Sequence, residues 1–279
     1  MRVVDWLEAL LLGVIQGLTE WLPVSSSGHL ALAHSYLGEV PVVIDVMLHF
    51  GTMVVLIVYF RKEVGMVGRS AGAVLREVAR GAGWKEAIYR DAQRRLSFLI
   101  VLALVPTAVL ALAFRFLLGG ALFSNLPLVA AGFAASGAML VLCGFARKGD
   151  RTDDRLTVGD SMAVGTAQGV AFLPGFSRSG LTIATGMLRG LEPRAAGRYS
   201  FLIMLPAVLG AMVFSLPDLG VVGRELVVLG LAAMAVAMVV GWLSLDLLMR
   251  ILKKGGVQYF APYCFLACGL TVLIALGYL

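Results

Sequence analysis

Long apolar stretches alternate with short charged ones along this chain. At least four stretches carry no charged side chain. Each is about 20 residues long or longer, which is the length that a helix needs to cross the hydrocarbon core. This pattern predicts several transmembrane helices, and hence an all-α polytopic membrane protein. The uncharged stretches run over 116–146, 199–217, 226–245 and 255–279.

The composition agrees with this pattern. The 279 residues are 59% hydrophobic and only 14% charged, whereas soluble domains carry about a quarter charged residues. The mean hydropathy is +0.91. A soluble globular protein is therefore excluded, and we expect residues 1–279 to form a single integral membrane domain.

The positive charge is concentrated between the apolar segments. Four stretches hold 19 of the 23 Lys and Arg residues, and the positive-inside rule places all four in the cytoplasm. The first stretch also contains interspersed acidic residues and looks amphipathic, which favours a helix at the membrane surface over a nucleic-acid partner. The four basic stretches are 61–95, 147–155, 189–198 and 250–254.

Counting crossings between these basic stretches predicts one unusual segment. The first and second stretches flank two spans that turn at 119–127, and the third and fourth flank two that turn at 217–225. Only residues 156–188 separate the second stretch from the third, too few for two full crossings. We expect a re-entrant hairpin there, since irregular backbone is tolerated at membrane depth when protein or a wet cavity surrounds it. The predicted spans are 42–60, 97–118, 127–146, 199–217, 225–249 and 258–278.

An internal repeat becomes visible when the chain is shifted by 152 positions. "GVIQGLTEWLPVSSSGHL" (13–30) then lies over "GTAQGVAFLPGFSRSGLT" (165–182), and three long apolar segments follow each copy. Three is odd, so the two copies enter the membrane from opposite sides. This predicts an inverted-topology repeat, each half a re-entrant helical hairpin plus three transmembrane helices, with repeat one at about 1–146 and repeat two at about 157–279. The first hairpin would open outward.

Each copy contains a Ser/Gly-rich turn before a new helix. Ser, Thr and Gly are N-cap residues, and the N–H groups of a helix start bind phosphate oxygens, so two facing turns would form an anion cradle. Glu20, His29 and Arg178 add ionisable groups at membrane depth, where such groups are costly and mark function. Arg178 suits a phosphate because its planar fork binds two oxygens.

The remaining polar residues of the first copy suggest further chemistry. Gln16 and Glu20 share a helical face and could hold Mg²⁺ or Ca²⁺, which prefer oxygen ligands. His29 is a candidate acid or base, and the serines at 25–27 are candidate nucleophiles or oxyanion donors.

Structural interpretations stay open beside these functional ones. Glu20 and Arg178 could form a buried ion pair, His29 could be a satisfied core histidine, and any single serine could bond backbone. Asp45 and His49, four residues apart on one helix face, either support the site or simply pair with each other.

The motifs "QGLTEWLPVSSSGH" and "PGFSRSGLT" resemble those of the undecaprenyl-diphosphate phosphatase family of the bacitracin-resistance type, and the resemblance covers nearly the whole chain. It implies a membrane phosphatase with interdigitated inverted repeats that hydrolyses a polyprenyl diphosphate lipid. The reaction would recycle the lipid carrier for peptidoglycan synthesis, and the activity would confer bacitracin resistance. The family also requires a divalent cation.

The resemblance further implies which residues act. Glu20 would be the essential acid, His29 would exchange a proton and Arg178 would stabilise phosphate charge, while Ser26 or a water attacks phosphorus. Gln16 stands where some family members have Glu, which leaves a two-carboxylate metal site in doubt. The metal ligands would be Glu20 and Gln16. The phosphate would contact Ser25, Ser27, Ser177, Ser179 and Thr182.

The implied setting is the bacterial cytoplasmic membrane, with the site open to the extracytoplasmic side and membrane lipid around it. The oligomeric state, including a homo-oligomer, stays open. The main alternative is a polyprenyl-phosphate flippase using the same cradle. Type 2 phosphatidic acid phosphatases are excluded, because their histidine six residues after the arginine is replaced by Ala184.

Overall fold

A computed structural model describes residues 4–38, 40–118, 125–145, 149–215 and 223–278. The named elements of this described part are helices, as predicted. In chain order they are α1 (Trp6–Thr19), α2 (Ser26–Leu37), α3 (Val42–Tyr59), α4 (Arg61–Ala79), α5 (Trp84–Tyr89), α6 (Ala92–Leu118), α7 (Leu126–Phe145), α8 (Val158–Val170), α9 (Arg178–Leu188), α10 (Pro193–Ser215), α11 (Arg224–Lys254) and α12 (Ala261–Ala275).

Within the described part, six helical segments are long and apolar enough to cross a membrane. They comprise α3, α6, α7, α10, α11, and α12 together with the 3₁₀ turn that precedes it. All six predicted spans are confirmed over their described residues, while positions 146, 216 and 217 lie outside them. The chain is a multi-pass membrane protein. The two predicted turns, at 119–127 and 217–225, lie largely outside the described residues.

Two pairs of short helices contain the repeated motif. α1 and α2 contain the first copy, and α8 and α9 contain the second. These helices have 14, 12, 13 and 11 residues. At 1.5 Å per residue each is about 16–21 Å long, shorter than the hydrocarbon core of about 30 Å. The helices of each pair contact one another. Their lengths agree with the predicted re-entrant hairpins, while their direction of entry into the membrane stays a prediction.

The repeat extends to the helix caps. Glu8 N–H donates to the side chain of Asp5 at 2.8 Å, and Asp5 N–H donates to Glu8 at 3.0 Å. The positions 152 residues later, Thr157 and Asp160, exchange the same two bonds at the start of α8. Reciprocal bonds of this kind satisfy two N–H groups that the helix itself leaves unpaired. Asp5 and Glu8 therefore cap the start of α1.

Each hairpin packs on a long helix of the other half. α1 makes its most extensive contacts with α11, and α8 makes its most extensive contacts with α6. A Cβ on Gly13 would lie 2.5 Å from the carbonyl oxygen of Ala233, and one on Gly165 would lie 2.2 Å from that of Ala103. Small residues let membrane helices approach closely. The two repeat-equivalent glycines therefore fix equivalent contacts, and the halves interdigitate.

A buried ion-pair cluster fixes the segment that joins the two halves. Asp160, which has no exposed surface, pairs with Arg151 and accepts a hydrogen bond from Arg189 Nε at 2.9 Å. Burial by itself would raise the pKa of Asp160, but the hydrogen bonds from Arg151, Thr157 and Arg189 outweigh it and lower the pKa below its usual value. The charged carboxylate thus ties the linker to α8 and α9.

Candidate active site

The two turns that precede α2 and α9 meet in the centre of the bundle. Ser25 Oγ donates to the carbonyl oxygen of Phe176 at 3.3 Å, and Ser179 Oγ donates to that of Leu22 at the same distance. Each turn thus binds the other through a serine. The tertiary fold brings together two motifs that lie about 150 residues apart in the chain, as the cradle hypothesis requires.

Both turns form helix caps of the same construction. Ser25 Oγ accepts the N–H of Gly28 at 3.1 Å, and Ser177 Oγ accepts the N–H of Gly180 at 3.1 Å. The serine two positions after each cap, Ser27 or Ser179, lies 3.3 or 3.4 Å from it, hydroxyl to hydroxyl. These four hydroxyls are engaged within and between the turns. Their predicted contact with phosphate stays a prediction.

Thr182 lies further along α9 and is buried. Its hydroxyl donates to the carbonyl of Arg178 at 2.7 Å and lies 2.5 Å from the hydroxyl of Ser200 on α10. In this structure it therefore joins α9 to α10. Its predicted role in phosphate binding also stays a prediction.

Glu20 lies at the centre of the site. Only 2% of its side chain is exposed. One carboxylate oxygen, Oε2, accepts hydrogen bonds from Ser26 Oγ at 2.6 Å and from Gln16 Nε2 at 3.0 Å. A bond of 2.6 Å is in the range for a hydroxyl donating to a charged oxygen. Ser26 is therefore the serine of the first motif that Glu20 could activate.

Arg178 faces the other oxygen of Glu20. Its Nη1 lies 4.0 Å from Glu20 Oε1, is buried and has no hydrogen-bond partner within the described residues. A closed guanidinium–carboxylate pair has an N–O distance of about 2.7–2.9 Å and satisfies its donors. The open geometry argues against a purely structural ion pair and leaves a buried donor that an anion could satisfy.

His49, for which the sequence left two interpretations open, lies beside Glu20. Its Nε2 lies 4.0 Å from Glu20 Oε2, and its Nδ1 lies 2.8 Å from the carbonyl oxygen of Asp45. Of the two open interpretations, support for the site is therefore the one the geometry favours. The repeat could not identify this residue, because Phe201 stands at the equivalent position.

His29 is directed elsewhere. Its Nδ1 lies 2.7 Å from the carbonyl oxygen of Ser25, and its Nε2 lies 2.8 Å from the hydroxyl of Tyr263 on α12. The ring also stacks on Tyr263 and meets Phe133 edge-on. Both nitrogens are engaged, so the predicted proton exchange by His29 stays a prediction that this geometry does not favour.

The two halves contribute different chemistry. At the positions equivalent to Glu20, Ser26 and His29, the second copy has Phe172, Arg178 and Leu181. The first hairpin thus supplies the carboxylate and the hydroxyl, while the second supplies the positive charge. Two hairpins related by a sequence repeat therefore carry an asymmetric site.

Gln16 and Glu20 meet the minimum requirement for a divalent cation. Gln16 Oε1 is buried and has no hydrogen-bond partner within the described residues, and the Glu20 carboxylate lies beside the same amide. Among the described residues, no group of three or more His, Cys, Asp or Glu could hold a metal by itself. A cation here would take most of its oxygen ligands from a bound diphosphate and water, as Mg²⁺ commonly does.

Comparison with known proteins adds a family match over most of the chain. Residues 9–270 match the family described as bacitracin resistance protein BacA. Three relatives, each named undecaprenyl-diphosphatase, come from Desulfosudis oleivorans, Desulforapulum autotrophicum and Salinibacter ruber. The D. oleivorans relative is 40% identical to this chain, over 97% of the chain and 98% of the relative. The D. autotrophicum relative is 37% identical, over 96% of the chain and 97% of the relative. The S. ruber relative is 36% identical, over 95% of the chain and 97% of the relative.

Proposed function

The chain belongs to the bacitracin resistance protein BacA family and is a membrane phosphatase of undecaprenyl diphosphate, and on this premise we propose that Glu20, Ser26 and Arg178 carry out the reaction. The observation that carries the proposal is the 2.6 Å hydrogen bond from Ser26 to Glu20. Arg178 lies across the same carboxylate with an unsatisfied buried donor. A nucleophile, a base and a phosphate clamp thus converge at one point.

The terminal phosphate of the substrate lies between the helix starts of α2 and α9. The positive ends of both helix dipoles and the guanidinium of Arg178 face its oxygens. The polyprenyl tail stays among lipid beside the apolar helices. Phosphoryl transfer needs mainly positioning and neutralisation of charge, and this arrangement supplies both.

In the first step, Ser26 Oγ attacks the terminal phosphorus and passes its proton to Glu20. The bond between that phosphorus and the bridging oxygen breaks, and undecaprenyl phosphate leaves with the electron pair. In the second step, water attacks the phosphoserine, Ser26 Oγ leaves with the proton held by Glu20, and inorganic phosphate is released. Direct attack by a water that Glu20 orients is the alternative, and the Ser26 variants discussed below separate the two.

A divalent cation, Mg²⁺ or Ca²⁺, would be held by the Glu20 carboxylate and the unpartnered Gln16 Oε1, and it would neutralise charge on the diphosphate when bound. Gln16 also donates to Glu20 through Nε2, so its amide orients the carboxylate. Because the amide oxygen is neutral, we expect the cation to bind the protein weakly until substrate arrives.

The orientation follows from the distribution of basic residues. The positive-inside rule places α4, the linker between the halves and the ends of α9 and α11 in the cytoplasm. The first hairpin then enters from the outside, and the site opens to the extracytoplasmic side of the bacterial cytoplasmic membrane. Undecaprenyl phosphate released there would return as a lipid carrier to peptidoglycan synthesis. The three relatives described above are named as phosphatases, so they lend no support to the flippase alternative.

The proposal is tested by phosphate release from undecaprenyl diphosphate in detergent, with and without Mg²⁺. Wild type, Glu20→Ala, Arg178→Ala and the control Arg69→Ala, which alters an exposed arginine of α4, are compared after a folding check. We expect cation-dependent release by wild type and the control, and a loss in the other two. Full release by a folded Glu20→Ala or Arg178→Ala protein would overturn the assignment.

A further inference from the structure

The turn that carries Ser26 is held in a strained backbone conformation. Ser25 has φ 68° and ψ 95°, and within the described residues it is the one residue other than glycine with positive φ. Such a conformation is unfavourable for a residue with a side chain and persists only where the surrounding structure enforces it. The groups that bind Ser25 therefore determine where the next residue, Ser26, places its hydroxyl.

His29 binds the carbonyl of Ser25 twice. The backbone N–H of His29 lies 3.2 Å from this carbonyl oxygen, and its ring Nδ1 lies 2.7 Å from it. A carbonyl oxygen can only accept, so Nδ1 must carry the proton. The imidazole thus acts on the turn as a side-chain donor and fixes the direction of the Ser25 carbonyl.

Tyr263 holds the opposite side of the same ring. With the proton on Nδ1, the neutral ring has its lone pair on Nε2, which accepts the Tyr263 hydroxyl at 2.8 Å. The two rings are also stacked, with centroids 5.7 Å apart and planes 13° from parallel. The neighbouring Cys264 reaches the turn as well, since its Sγ lies 3.3 Å from the carbonyl oxygen of Pro23. α12 therefore supports the turn at two points.

We propose that Tyr263 is a positioning residue for phosphoryl transfer, acting through His29 on the strained Ser25 turn. Its hydroxyl holds the His29 ring so that Nδ1–H donates to the Ser25 carbonyl. The Ser25 turn then directs the hydroxyl of Ser26 toward Glu20. His29 then serves as a hydrogen-bond donor to the turn and not as a proton carrier. This inference rests on the function proposed above, because its effect is measured on phosphate release.

The test compares variants that separate a donor from an acid or base. His29→Asn keeps an N–H donor close to the position of Nδ1 but cannot exchange a proton near neutral pH, whereas His29→Leu loses the donor. We expect His29→Asn to retain about a tenth or more of wild-type kcat and His29→Leu to fall well below it. Tyr263→Phe should lower kcat about 3- to 10-fold, the effect of losing one hydrogen bond. Its KM should be unchanged, because Arg178 still binds the phosphate.

Two further comparisons complete the design. In the His29→Asn background, Tyr263→Phe should have no further effect, since the shorter side chain no longer reaches the tyrosine. Tyr259→Phe, an exposed tyrosine just before α12, is the matched control and should match wild type. The chain has three histidines, so ¹⁵N spectra of labelled protein, assigned with His29→Asn, should show the Nδ1–H tautomer for His29.

Distinct results would overturn the inference. A folded His29→Asn protein as inactive as His29→Leu would make His29 the proton carrier, and wild-type kcat in Tyr263→Phe would remove the tyrosine from the site. An Nε2–H tautomer of His29 would contradict the geometry without any use of activity. No phosphate release from folded wild type would instead reject the proposed function.

Discussion

Arg178 Nη1 stands 4.0 Å from Glu20 Oε1 with no hydrogen bond between them, although Nη1 is shielded from solvent and only 2% of the Glu20 side chain is exposed. A buried guanidinium nitrogen and a carboxylate at this distance attract each other but leave donor capacity unused, which is costly away from water. A phosphate oxygen at Nη1 would satisfy that donor. The open pair therefore indicates a site prepared for an anionic ligand.

The first prediction concerns the planar shape of the Arg178 guanidinium. Arg178→Ala should lower kcat/KM at least about 100-fold, the scale found for removing one preorganised donor to a transition state. Arg178→Lys should recover little of this, because a point charge cannot replace a planar fork. Phosphate release at several substrate concentrations measures both. Near-complete rescue by lysine would show that charge alone matters.

The second prediction separates the two nucleophiles. If Ser26 attacks phosphorus, Ser26→Ala should lower kcat more than about 1,000-fold, since loss of an attacking group removes most of the acceleration. If Glu20 activates water instead, the same variant should retain most activity. Ser35→Ala is the control, because Ser35 is exposed on the same helix and its hydroxyl donates to the carbonyl oxygen of Leu32 at 2.7 Å.

The third prediction concerns the cation. Gln16→Glu replaces a neutral oxygen by a charged one beside Glu20, and two carboxylates attract Mg²⁺ more strongly than one. The Mg²⁺ concentration for half-maximal activity should fall at least about tenfold, and a chelator should abolish activity in both proteins. An unchanged Mg²⁺ dependence would place the cation away from Gln16.

The fourth prediction concerns His49. Its Nε2 is 4.0 Å from Glu20, so His49→Ala should lower kcat, by about 3- to 30-fold, while the thermal unfolding temperature stays close to that of wild type. The comparison is His34→Ala, which alters a histidine 3.4 Å from Asp45 and without a contact to Glu20 in this structure. Equal activities of the two variants would show that His49 has no role in turnover.

The fifth prediction concerns the pH dependence of stability. The pKa of Asp160 is lowered in the folded state, so its ionised form stabilises the fold above its ordinary pKa of 3.8. The contribution should decline as pH falls below about 4, through the lowered folded-state pKa. Asp160→Asn should cost about 1–3 kcal/mol at pH 7 and weaken this decline, because two arginines lose hydrogen bonds to a charged partner. Asp150→Asn, on an exposed residue, should show neither effect in thermal unfolding.

Local patterns in the sequence were sufficient for the architecture. Hydropathy over about 20 residues identifies a membrane span without any knowledge of its neighbours, and all six predicted spans are helices in the structure. The Ser/Gly turns were equally readable, because capping depends on a few adjacent residues. The repeat further indicated that Glu20 and Arg178 belong to corresponding turns.

Contacts between distant helices could be decided only by the tertiary structure. The sequence around His49 and Tyr263 does not distinguish them from other residues. His49 becomes relevant because it lies beside Glu20, and Tyr263 because it lies beside His29; in both cases the partner belongs to another part of the chain. The same holds for the serines: the sequence offered three equivalent hydroxyls, and the fold directs one of them to Glu20. Hydropathy and capping are short-range properties of the chain, whereas the direction of a side chain is set by packing between helices far apart in sequence. The sequence by itself therefore determined the spans, the turns and the chemical class of the site, and the tertiary structure alone decided which hydroxyl, which histidine and which supporting tyrosine serve it.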